Sequence, residues 1–183
     1  VKPQRLTVEI LETQEIDSAA QNEAIQRFKA MGVRMAIDDL GSGHSSLLRL
    51  SSLPFDVIKV DQGLLRHIRA MPIQIFSVVR SLLDIGADFH DVVVVEGLET
   101  SDVIEAMRHL GCQYGQGFGI ARPMAPEGLF DWYTQFRNAS GGQDSGLSEI
   151  HSDLGALAFV WRVMRSGQYK GSGNMDDCAM ARW

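Results

Sequence analysis

Short apolar runs, each leading into polar residues and each followed by a stretch of helical spacing, recur along most of this chain. No other feature restricts the fold as strongly, because strand–helix alternation admits few architectures. Val92 to Val95 is the clearest run: four consecutive β-branched residues suit a strand covered on both faces. It leads into Glu96-Gly97-Leu98-Glu99-Thr100, then a helix from Ser101 or Asp102 to Leu110, with Gly111 as its stop. Earlier, Leu6 to Leu11 reads as a strand carrying Glu9 beside Glu12. Behind it a helical pattern runs through Ala20, Ala24, Ile25, Phe28 and Met31 and closes at Gly32. Val33 to Ile37 delivers Asp38 and Asp39 into a Gly41-Ser42-Gly43 turn. Phe55 to Val60 carries Lys59, with Asp61 next to it, before a long helical pattern interrupted at Pro72 and ending near Gly86. A fifth, weaker strand spans Cys112 to Gly119, with Gln116 between glycines, and precedes a helix around Pro126 to Phe136.

Strands alternating with helices imply right-handed crossovers and a parallel sheet. In a TIM-like (β/α)8 barrel all strand ends open onto one face, so Glu9, Asp38, Asp39, Lys59, Glu96 and Gln116 are expected to converge there. A doubly wound open sheet is the alternative, but a Gly-x-Gly-x-x-Gly after the first strand is absent. With 183 residues, 45% of them apolar and 22% charged, the chain suits one soluble domain. Its longest apolar runs, Val92 to Val95 and Ala156 to Trp161, are far short of a membrane span, and no leader precedes Leu6. A cytoplasmic location is expected. A net charge of −6 argues against a nucleic-acid polymer as partner, and two cysteines, Cys112 and Cys178, argue against a disulfide framework.

Adjacent carboxylates at the end of a buried strand repel each other and are costly to desolvate, and a divalent cation relieves both costs. Hard oxygen donors without a His or Cys cluster favour Mg2+ or Mn2+ over zinc. Two such ions sharing Asp38 suit metal-assisted hydrolysis of a phosphate ester, with Lys59 orienting water or neutralising phosphate. The structural alternatives are that Asp38 or Asp39 caps the next helix, and that Lys59 forms an ion pair with Glu96 or Asp39.

Five segments in order, Val8 to Thr13, Asp38 to Leu47, Ile58 to Asp61, Val95 to Thr100 and Gly115 to Phe118, resemble successive motifs of the EAL-domain cyclic-di-GMP phosphodiesterases. The resemblance covers about residues 5 to 136 and implies a barrel that linearises cyclic di-GMP to pGpG with two Mg2+ or Mn2+ ions. By position it implies Glu9 and Asp38 on one metal, and Asp38, Asp39 and Glu96 on the other. Lys59 would contact the attacking water, Glu12 would brace the loop after Asp39, and Glu99 and Gln116 would support lysine, water and substrate. It also implies a homodimer through the loop after Asp39 and further signalling domains in the parent chain.

Leu40, Ser42 and His44 depart from the family's more usual Phe, Thr and Tyr in that loop, and His44 alone among them changes charge near neutral pH. The family's Glu-Ala-Leu and metal-binding Asn belong on strands upstream of Glu9, and the first five residues, Val1 to Arg5, cannot hold them. Five of eight barrel strands are thus expected, with open edges and a chain weak or inactive by itself. A regulatory module that binds cyclic di-GMP or a protein partner without turnover is the alternative function. The expected organisation is a partial barrel domain over 1–137, a Gly- and Ser-rich linker over 138–146, and a helix and flexible tail over 147–183. Within the tail, Leu147 to Met164 has amphipathic spacing, and His151 with Cys178 does not make a metal site.

Overall fold

The structure, a computed structural model, describes residues 1–13, 19–41, 50, 53–139 and 150–166. Five parallel strands lie side by side in chain order: β1 (Thr7–Leu11), β2 (Arg34–Leu40), β3 (Val57–Val60), β4 (Val92–Val95) and β5 (Tyr114–Gly115). The helices are α1 (Ala19–Ala30), α2 (Gln62–Leu65), α3 (Pro72–Phe89), α4 (Ser101–Leu110), α5 (Pro126–Ala139) and α6 (Asp153–Arg165). Among the described residues, parallel neighbours joined through α1, through α2 and α3, and through α4 are the repeating unit of a barrel wall, here an incomplete one of five strands.

The sheet's helix-covered face carries the core. Ile10, Ile37, Ile58 and Val93 lie across adjacent strands and join one apolar cluster with Ile25 of α1 and Leu82 of α3. Val95 belongs to a second cluster with Phe76 and Val79 of α3 and Ala106, Met107 and Leu110 of α4. Strand alternation then dictates that Lys59, between buried Ile58 and Val60, points to the opposite face. At the far end of the sheet, Asp56 accepts from the Met35 N–H at 2.8 Å and from Lys29 Nζ at 2.7 Å. These bonds tie α1, β2 and β3 together where no metal is needed.

Several boundaries differ from the sequence reading, for identifiable reasons. Pro72 opens α3 rather than interrupting a helix, since its missing N–H costs nothing in the first turn. The helix continues past Gly86 to Phe89, where His90 takes the left-handed conformation, φ 64°. Gly86 instead permits close packing: a Cβ there would meet Val93 Cγ2 at 2.2 Å. β2 extends through Asp38 and Asp39 to Leu40. The last helix begins at Asp153, later than the Leu147 expected from spacing, because Ser152 caps it by accepting from the Gly155 N–H at 3.0 Å. No helix among the described residues is long and apolar enough to cross a membrane. His44, most of the loop after Asp39, most of the expected linker and Cys178 lie outside the described residues.

Candidate metal centre

The site is built around an irregularity in strand pairing. Ile37 pairs with Ile58, and pairing resumes at Leu40 with Val60, so Asp38 and Asp39 together stand opposite Lys59 alone. This is a β-bulge, which re-aims side chains at the cost of a local ladder bond. A regular strand sends consecutive side chains to opposite faces. Here Asp39 adopts φ 59°, and the extra turn leaves Asp38, Asp39 and Glu96 able to offer carboxylate oxygens all within 4.8 Å of one another. Aspartate tolerates this left-handed geometry better than most residues, but still at a cost near 1 kcal/mol.

Lys59 binds the cluster together. Its Nζ lies 2.9 Å from Asp38 Oδ1, 2.9 Å from Glu96 Oε1 and 3.1 Å from Glu9 Oε2, drawing carboxylates from β1, β2 and the tip of β4. Lys59, Asp38 and Glu96 retain only 12%, 17% and 15% of their side-chain exposure, whereas Glu9 retains 48%, so the cluster opens to solvent on the β1 side. Burial disfavours the ammonium, but hydrogen bonds to Asp38, Glu96 and Glu9 more than offset it and hold Lys59 well above the ordinary lysine range. Asp39 is raised as well, which for a carboxylate disfavours the charged form. Burial, then the charges of Asp38 and Asp61, push its carboxyl up, and Lys59 compensates only in part.

Supporting contacts fix the backbone around these groups. Glu12, 3% exposed, accepts from the Gly41 N–H at 2.9 Å through Oε2, and its own N–H donates to the Asp38 carbonyl at 2.9 Å. Gly97, at φ 72° directly after Glu96, sits against α2, where a Cβ would approach Gln62 Cβ to 2.7 Å. Asp61 caps α2 by accepting from the Gly63 N–H at 2.7 Å. Asp61, which follows the Lys59 strand, also places its negative charge against Asp39. Glu99 and Gln116 are both exposed. Glu99 lines a separate cleft with Gln62, Arg66 and Val103, and Gln116 joins the sheet through its backbone, its N–H donating to the Val95 carbonyl at 2.9 Å.

The donor set fits a divalent cation. Four carboxylates face one ammonium, and burial together with the charges of Asp38 and Asp61 disfavours the ionised form of Asp39 there, a cost that a bound cation would relieve. All the side-chain donors that meet there are oxygens, the ligand type of hard cations.

Comparison with known proteins agrees with this geometry. The EAL domain family model matches residues 1–123. The cyclic di-GMP phosphodiesterase RocR of Pseudomonas aeruginosa is 34% identical over 131 residues, covering 71% of this chain and 33% of that protein. A signalling protein of Caulobacter vibrioides is 39% identical over 141 residues, covering 73% of this chain and 17% of its own length. This chain therefore spans a third or less of these relatives. Among solved structures, the MucR phosphodiesterase in complex with cyclic di-GMP superimposes with a TM-score of 0.63 at 35% identity, covering 70% of this chain and 52% of the other. The manganese and cyclic di-GMP complex of Klebsiella pneumoniae BlrP1 gives 0.61 at 31% identity, covering 67% and 31%. The strand order, the bulged Asp38–Asp39 pair opposite Lys59 and the family match over two thirds of the sequence lead to one assignment: this chain belongs to the EAL domain family.

Proposed function

We propose that this chain carries the larger part of a metal-dependent site that hydrolyses cyclic di-GMP to linear pGpG. The observation that carries the reading is the meeting of Glu9, Asp38 and Glu96 on Lys59 Nζ, with Asp39 turned into the same cluster. Asp38, Asp39 and Glu96 would hold one Mg2+ or Mn2+, and Glu9 with Asp38 a second. Such cations supply Lewis acidity to the phosphodiester and make water more acidic.

The protein groups divide the remaining work. Lys59, held protonated by its neighbours, is a cation at neutral pH and not a base. Its ammonium can orient a water and attract a non-bridging phosphate oxygen, while a carboxylate of the cluster accepts the water's proton. Glu12 holds Gly41 and so the exit of β2, which keeps Asp39 in its left-handed conformation. By the resemblance Glu99 and Gln116 would support lysine, water and substrate rather than bind the metal; both are exposed, and Glu99 lines the neighbouring cleft with Gln62 and Arg66. Homodimerisation through the loop after Asp39 and a cytoplasmic setting complete the proposal.

The test is to incubate the chain with cyclic di-GMP and Mn2+ or Mg2+ and follow pGpG by chromatography beside Lys59→Ala. Product that requires divalent metal and disappears in the variant supports the reading, even at a low rate. Product formed equally by Lys59→Ala, or in the presence of chelator, contradicts it.

A further inference from the structure

α6 lies beyond the residues that match the family, yet it is seated on the protein's second apolar cluster. Ala158 is fully buried, Trp161 meets Phe76 of α3 edge-on with ring centroids 6.0 Å apart, and Phe159 meets the His109 ring of α4 edge-on at 5.6 Å. One carboxylate clamps the helix's entry: Glu105 of α4 accepts from the His151 N–H at 2.6 Å through Oε1 and from Ser152 Oγ at 2.5 Å through Oε2. Ser152 is also the α6 cap, so the clamp and the start of the helix depend on each other.

His109 stands in the middle of this contact with a polar atom left over. It is 6% exposed, and its Nε2 is the buried side-chain nitrogen or oxygen without a hydrogen-bond partner among the described residues. The carboxylate beside it, Glu105 Oε1, is 3.8 Å away, too far for a hydrogen bond and already engaged by the His151 N–H. Of the charged groups around it, Arg162 on α6 and Arg108 on α4 disfavour a second cation, while Arg80 of α3 bonds the Leu110 carbonyl next in sequence and His151 stands in the segment entering α6. A protonated imidazole would be desolvated here, and the one carboxylate in reach is the clamp.

We propose that α6 is a detachable cap on the α3–α4 face and that protonation of His109 releases it, exposing that apolar face while the sheet stays folded. Burial first, then Arg162 and Arg108, hold the imidazole below its ordinary value against the pull of Glu105. The docked state therefore binds fewer protons than the undocked one, and docking weakens as pH falls. The effect begins near the free histidine value of about 6.5 and approaches about tenfold in the opening equilibrium for each further pH unit, the limit for one proton.

Hydrogen exchange on the full chain, corrected for intrinsic rates, tests this. Between about pH 7.5 and 5.5, opening of the 153–165 amides should rise, up to a one-proton limit of about tenfold, while β2, β3 and β4 stay protected, and His109→Phe should abolish the rise. An NMR titration of the imidazoles in the unaltered protein gives an independent reading should the variant not fold, since His109 should titrate with the midpoint of α6 opening. A pH-independent α6, an α6 that opens only together with the sheet, a rise that persists in His109→Phe, or a midpoint that follows His151 instead would each overturn the proposal.

Discussion

Replacing Lys59 with methionine keeps most of the side chain's volume and removes the charge that Glu9, Asp38 and Glu96 share. Breaking a fully buried ion pair from one side costs about 3–5 kcal/mol. This cluster opens to water at Glu9, 48% exposed, so the full figure does not apply. A loss of about 2 kcal/mol at neutral pH in metal-free buffer is expected, or roughly 4–8 °C in Tm for a chain of this size. The sign of the pH dependence follows from which groups lose their partner. At the alkaline end the cost of the substitution shrinks. The raised Lys59 value means that its stabilisation is complete below the free lysine value of 10.5 and is lost as pH climbs through the higher folded value, a slope the variant lacks. Urea titrations of both proteins with EDTA, at several pH values, measure this directly. Equal stability at pH 7, or a deficit that stays unchanged as pH climbs past the free lysine value, would refute the charge-sharing account.

Asp39→Gly should relieve the left-handed strain at φ 59° and one like-charge contact, making the metal-free protein more stable by about 0.5–1 kcal/mol while weakening Mn2+ binding. Calorimetry with and without Mn2+ reads both effects, and a less stable apo-protein would count against the strain. Asp56→Ala orphans the Met35 N–H and Lys29 and should cost about 1–3 kcal/mol by urea titration. Burial raises the Asp56 carboxyl, but Lys29 and the Met35 N–H more than offset it, so its net position is lowered. That stabilisation is present above the free aspartate value of 3.8 and fades as pH drops through the lower folded value; the variant should lack this acid slope. Phe76→Ala empties a fully buried position beneath α6 and should cost about 3–5 kcal/mol, with a red shift of the Trp161 emission. An unshifted spectrum would separate Trp161 from Phe76.

How much of this was legible before the structure depends on whether a feature is local or arises from pairing. Four successive valines at 92–95 announced a parallel strand, but not its covering: Val93 and Val95 are buried against the helices, whereas Val92 and Val94 on the other face are only half-buried. Gly111 as a helix stop and the repeated strand–helix units are equally local signals. The bulge at Asp38–Asp39 is different, because it exists only in relation to β3, and no residue pattern within β2 announces it. The end of α3 escaped notice because His90, not a glycine, takes the left-handed position, and Gly86 serves packing against Val93. The clamp between Glu105 and Ser152 joins residues 47 positions apart, so α6 was legible as an amphipathic helix but not its seat or its capped start. Of the polar strand-end residues, Glu9, Asp38, Lys59 and Glu96 meet directly, and Asp39 joins them through the bulge.

The most direct measurement is Mn2+ binding to the chain, followed by electron paramagnetic resonance, in the unaltered protein and in Asp38→Asn. Asp38 is the carboxylate shared by every proposed ligand set, so its neutral isostere should lower Mn2+ affinity by about tenfold or more while leaving the fold intact by circular dichroism. Mn2+ bound equally well by Asp38→Asn would contradict the account, because the cluster around Lys59 would then be a structural ion-pair network and not a metal centre.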